Sequence, residues 1–181
     1  MSRILFPALL LLAVPAFAHT GQGDHGHFLS GVLHPLTGAD HMLAMVAVGL
    51  WAALAGGRAV WAMPLTFVAA MLAGGSMGSG GAELALTEPA ILASLILIGA
   101  AAAAVARLPL AAAMALLVPF GLAHGYAHGA EGPGGIGYAA GFMLATLALH
   151  VVGLVFGKAM PLLARIGGGG VALAGAVLAL A

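Results

Sequence analysis

His34-Pro35-Leu36-Thr37-Gly38-Ala39-Asp40-His41-Met42 leads into a run with no charged side chain from Met42 to Ala55. Two imidazoles and a carboxylate therefore head a segment with the apolarity of a membrane helix. Ionisable groups in such helices are costly and rare, and they face a partner or a pathway rather than lipid. A second cluster, His124-Gly125-Tyr126-Ala127-His128-Gly129-Ala130-Glu131, repeats the chemistry further along. Together the clusters read as two walls of one metal site.

Composition points the same way. Of 181 residues, 63% are apolar and only 6% charged, against about a quarter charged in a soluble domain. The bilayer is therefore the expected solvent and lipid an expected partner. Net charge is +0 with no basic run, which argues against a nucleic-acid partner. The absence of cysteine excludes disulfides, thiolate metal sites and iron–sulfur clusters. Any metal must be held by nitrogen and oxygen, with methionine thioether as a soft extra, which suits zinc, nickel, cobalt or copper(II). No permanently bound cofactor is expected, and no Walker-type loop offers ATP hydrolysis.

Residues 1–18 carry Arg3, an apolar run from Ile4 to Val14, and Pro15-Ala16-Phe17-Ala18. That pattern predicts a cleaved signal peptide, the alternative being a short helix that stays attached. Cleavage after Ala18 would leave a periplasmic, His-rich segment over 19–28, with His19, Asp24, His25 and His27 as candidate secondary ligands. The bland reading of this segment is a polar leader.

Residues 29–181 divide into apolar spans at Leu29–Ala55, Val60–Ser79, Pro89–Ala106, Pro109–Ala130, Gly134–Gly157 and Leu162–Ala181. The expected fold is all-α: a polytopic bundle of six transmembrane helices after a signal peptide. The last span is the weakest, since Arg165 and Gly167–Gly170 leave Val171–Ala181 as its clean run and predict irregular backbone before it. Basic residues of the mature chain fall between spans one and two (Arg58), three and four (Arg107), and five and six (Lys158, Arg165). The opposite loops hold Glu83, Glu88 and Glu131. The positive-inside rule then places the mature N-terminus outside, as an export signal also requires. Gly121/Gly125/Gly129, Gly137/Gly141 and Gly153/Gly157 recur at spacing four and predict close helix seams. Trp51, Trp61 and Tyr138 near span ends read as interfacial anchors, and the methionines as core filler.

His124, His128 and Glu131 stand at i, i+4 and i+7, one stripe of a helix. Two histidines at that spacing can share a metal ion; the alternative is a packed imidazole and an exposed loop carboxylate. His34 and His41 would share a face of a continuous helix, but Pro35 and Gly38 argue for a break. A break would let Asp40 turn toward the histidines, as ligand or as the group orienting an imidazole. Thr37 to Asp40 also has the outline of a capping box, which would leave Asp40 a helix cap with no metal role. By helical rise, His41 lies on the order of 15–20 Å inward from the outer end of its span and His124 roughly 10 Å from that of its own, so the clusters can meet. His150 lies roughly 24 Å in, either a later station or a lone hydrogen-bonded histidine.

The stretch from His34 through Asp40-His41-Met42-Leu43-Ala44-Met45 to Val48-Gly49-Leu50-Trp51-Ala52 resembles the signature of the HupE/UreJ family of nickel/cobalt permeases. The stretch His124 to Glu131, Gly141-Phe142 through Ala145-Thr146 to His150, and the layout of signal peptide plus six spans are similar to that family as well. The resemblance implies a secondary-type permease of the bacterial inner membrane taking up Ni²⁺ or Co²⁺, with Zn²⁺ as a further candidate. It makes His34, Asp40 and His41 the leading metal-handling residues; the helix spacing adds His124, His128 and Glu131, and a second copy of the chain is a candidate partner. Two other classes use similar residues. An intramembrane zinc hydrolase would need a catalytic context that Ser30, Ser76, Ser79 and Ser94 do not offer in sequence. A haem-binding electron carrier would use histidines from two helices as axial ligands.

Overall fold

The computed structural model describes residues 24–81 and 85–180, with side chains from His27 onward. The expected signal peptide, His19 and the side chains of Asp24 and His25 lie outside the described residues. Among the described residues every regular element is helical: α1 (Asp24–Leu33), a 3-10 turn (His34–Leu36), α2 (Ala39–Ala55), α3 (Ala59–Ser79), α4 (Thr87–Ala103), α5 (Leu110–Glu131), α6 (Gly135–Ala159) and α7 (Pro161–Leu178). Helices α3, α5, α6 and α7 are long and apolar enough to cross a membrane, and α1 with α2 makes a fifth span if its two parts count as one. Helix α4 has 17 residues, about 26 Å of rise. The architecture is that of a multi-pass membrane protein.

Glycine sets how these helices meet. A Cβ added at Gly125 of α5 would lie 2.0 Å from the Met71 carbonyl of α3, and one at Gly129 would lie 2.1 Å from that of Gly75. From the other side, Gly74 and Gly78 of α3 face the carbonyls of Leu122 and Tyr126. The paired residues advance together, so α3 and α5 run parallel. Helix α6 is seamed in the same way to the bent α1–α2 unit, Gly141 on Phe28 and Gly153 on Val46, answered by Gly31 and Gly49. Small residues admit this approach, and in lipid, where hydrophobic drive between helices is absent, the resulting van der Waals contact holds the pairs together.

Helix α7 departs from expectation. It is regular from Pro161, with no irregular lead before Val171. Gly168 packs against Gly99 and Ala102 of α4, and Gly175 against Leu95, so these two glycines form a seam. Unpaired backbone is also costly in hydrocarbon, which favours helix there over glycine's freedom.

The centre of the bundle is α2, whose Met45, Val48 and Trp51 are fully buried alongside Phe67, Leu95, Ile98 and Leu117. Trp51 is therefore no interfacial anchor: its indole Nε1–H donates to the Ala106 carbonyl at 2.9 Å, tying α2 to the loop after α4. Tyr138 is buried too, and of the expected anchors only Trp61 is exposed. Arg58 and Arg107 line a cavity of ≈ 270 Å³ beside Trp51, and Arg165 donates from Nε to the Ala103 carbonyl at 3.1 Å. With Lys158 at the end of α6, the basic side chains among the described residues gather at the end of the bundle opposite Glu131.

Gly125→Val is expected to lower the thermal unfolding midpoint in detergent, at a cost of about 1–3 kcal/mol or more for overpacking. Gly170→Ala, whose added methyl meets nothing within 4 Å, should leave the midpoint unchanged or raise it. Equal midpoints would show that the α3–α5 seam is looser than described.

Candidate metal centre

The site begins at a break. Helix α1 and its 3-10 turn meet α2 at 80°. Pro35 cannot donate a backbone hydrogen bond, and Gly38 is extended (φ −96°, ψ 113°) as the residue before α2. Thr37 turns back, its hydroxyl donating to the His34 carbonyl at 2.7 Å. The alternative of a capping box is not realised, because Gly38 takes the cap position and no side chain bonds there. Asp40, in the first turn, instead accepts twice at Oδ1: from the His41 backbone N–H at 2.9 Å and from His41 Nδ1 at 2.9 Å. A carboxylate only accepts, so Nδ1 carries the proton and, in the neutral ring, Nε2 of His41 keeps its lone pair. Asp40 thus satisfies a helix-terminal donor and orients an imidazole together.

The bend brings both His34 and His41 against His128. Ring centroids are 4.8 Å apart for His34–His128 and 4.2 Å for His41–His128, and His41 continues to His124 at 4.7 Å. Glu131 Oε2 lies 3.6 Å from His34 Nε2, at the exposed end of the cluster. His34, Asp40, His41, His124, His128 and Glu131 therefore form one contiguous group. They are not poised as a ligand shell. Among the described residues no group of three or more His, Asp or Glu side chains has the arrangement to hold a metal ion as it stands. The imidazoles meet edge to face and fill the space between them, so taking an ion requires the rings to turn.

The chemistry of the donors nonetheless fits a cation. His41 Nε2, His124 Nδ1 and both ring nitrogens of His128 are buried without a hydrogen-bond partner. Each such group costs about 1–3 kcal/mol. Each neutral imidazole keeps one lone pair beside its single N–H, so the three buried rings concentrate lone-pair nitrogens of the kind a cation binds. The rings grade from the half-buried His34 to His128 and His124, both buried. A cavity of ≈ 140 Å³ beside His128, lined by Gly129, Tyr138 and Phe142, opens on this path.

Four further residues shape the site and were not expected from sequence. Phe142 packs on His128 with centroids 4.4 Å apart. Tyr138 donates its hydroxyl to the His128 carbonyl at 3.3 Å and sets its ring edge-on to His34. Phe67 stands between His124 and His150, 5.6 Å from each. Ser94 lies 2.8 Å from His124 Nε2, and a signal for it existed: it is the sole polar side chain between Pro89 and Ala106. His150 is buried beyond Phe67, beside Thr146 and outside the cluster. His27 lies on α1, about two turns before His34.

A family model described as HupE / UreJ protein matches residues 7–180. Protein HupE of Rhizobium leguminosarum bv. viciae is similar to the chain, 44% identical over 179 residues that cover 94% of each. No solved structure matches it.

Asp40→Ala should weaken binding of Ni²⁺ or Co²⁺ to the purified protein by roughly 10–100-fold, the usual cost of losing the partner that orients a ligand histidine. Asp40→Asn keeps an acceptor and should fall between the two. Calorimetric titration that gives one affinity for all three proteins would remove Asp40 from the site.

Proposed function

The chain belongs to the HupE/UreJ family, and from that premise we propose that it is a secondary-type membrane permease taking up divalent nickel, cobalt or both. The ion passes through His34, Asp40, His41, His124, His128 and Glu131. The observation that carries this reading is the graded column of imidazoles with unpartnered nitrogens, running from a half-buried ring into the bundle. Imidazole nitrogen with one or two carboxylates offsets the charge of a dication without the tight grip of thiolate. Glu131 and His34 meet the hydrated ion, His128 and His41 exchange for its waters, and His124 takes it deeper. His150 receives it past Phe67.

In the same reading all six helical passes cross the membrane, the bent α1–α2 unit and the short α4 included. A signal peptide cleaved after Ala18 leaves His19, Asp24, His25 and His27 on the outer face of the inner membrane, where they gather metal. The basic end carrying Arg58, Arg107, Lys158 and Arg165 faces the cytoplasm.

Ser94 beside His124 raises the hydrolase as a competitor. Its hydroxyl, however, lies 2.6 Å from the Ile91 carbonyl, which takes its proton, and the residue is fully buried. A nucleophile needs its proton directed at the base. Imidazoles in ring contact likewise leave no room for a porphyrin between them.

Cells expressing the chain should accumulate labelled Ni²⁺ or Co²⁺, and His41→Ala and His128→Ala at matched expression should each lower that uptake at least about tenfold. Undiminished uptake in both variants would make the cluster structural. No uptake by the parent, with expression confirmed, would overturn the permease.

A further inference from the structure

We propose that Ser94 of α4 is a positioning residue for metal transfer, holding His124 as the Nε2–H tautomer so that Nδ1 presents its lone pair to the ion. The inference rests on the permease reading for its effect on transport, and on hydrogen-bond geometry alone for the tautomer.

Ser94 and His124 are both fully buried, on different helices. The Ser94 hydroxyl lies 2.6 Å from the Ile91 carbonyl oxygen and 2.8 Å from His124 Nε2. A hydroxyl has one proton to give and lone pairs to accept with. A carbonyl oxygen only accepts, so the shorter contact takes the proton and the hydroxyl oxygen faces the ring as acceptor. His124 Nε2 must then donate. A neutral imidazole has a single N–H, which leaves Nδ1 as the lone-pair nitrogen, and that atom is buried without a partner.

His41 is set in the opposite sense. Asp40 takes its Nδ1 proton and frees Nε2. The two rings are 4.7 Å apart, one from α2 and one from α5. Each is thus locked by an acceptor on its outer side, with the free nitrogen left to the interior. A tautomer exchange at His124 would aim an N–H dipole at the cation and remove one ligand. Ser94 also brings α4, which carries no other residue of the cluster, into control of the site.

The test uses the full chain, purified metal-free and labelled with ¹⁵N-histidine, with His124 signals assigned by their loss in His124→Ala. The parent should show a protonated Nε2 and a pyridine-type Nδ1 at His124. Ser94→Ala should mix or reverse the two, and Ser94→Thr, which retains a hydroxyl, should preserve them. In uptake assays Ser94→Ala should raise the half-saturating Ni²⁺ or Co²⁺ concentration roughly 10-fold or more, with Ser94→Thr restoring much of it. A protonated Nδ1 at His124 in the parent overturns the proposal, as does a Ser94→Ala protein with unchanged tautomer and unchanged half-saturation. If Ser94→Ala does not accumulate, the parent spectrum and Ser94→Thr decide. A parent that moves no metal overturns the permease instead, and the tautomer then stands or falls on the spectrum.

Discussion

Inside a bilayer, helix pairs gain nothing from expelling lipid that is as apolar as they are, so what binds them is close contact of backbone with backbone. Here that contact is glycine against carbonyl, and the histidine cluster depends on it. Gly125 and Gly129 each follow a histidine directly, and they seat α5 on Met71 and Gly75 of α3. One residue back is about 100° around a helix. With Gly125 and Gly129 pinned to α3, His124 and His128 are turned toward α2 and its bend. On the other wall, Gly49 faces the carbonyl of His150 and Gly153 that of Val46, which fixes α2 on α6. The imidazoles then meet where the two seamed pairs come together.

The second constraint is the turn at Pro35–Gly38. A straight helix would carry His34 about 10 Å from His41 along its axis, and Asp40 would point away from both. The 80° bend shortens that span and lets both histidines reach the single ring of His128. It also opens a first turn in which Asp40 can serve a backbone N–H and an imidazole at once. Helix termini have donors to spare, and this site uses that surplus for orientation.

Much of this was legible in the sequence because lipid makes the patterns coarse. Long apolar runs, spacing-four glycines and a break at Pro35–Gly38 each report one physical requirement with few alternatives. The six cluster residues could be named because ionisable groups stand out in an apolar chain. What sequence could not show is how polar atoms share protons. Thr37 and Asp40 match a capping box by spacing, yet Gly38 takes the cap because its extended backbone suits the bend. Ser94 has no catalytic context in sequence, since contact between residues 94 and 124 is set by packing of α4 on α5. Trp51 looked like an anchor from its position in the span, and only the Ala106 carbonyl across the core explains its burial. The glycines of α7 read as irregular because their partner, α4, is distant in the chain.

The edge-to-face packing of the rings bears on the membrane as a whole. From His128 through His41 and His124 to Phe67 and His150, successive rings occupy the space that a thread of water would need. A wide polar channel with the same donors would leak protons and sodium and run down the potential across the bilayer. A column closed by its own side chains is electrically tight at rest. In the proposed permease, passage would require the rings to be displaced one after another, which an ion that imidazole nitrogen binds well could do.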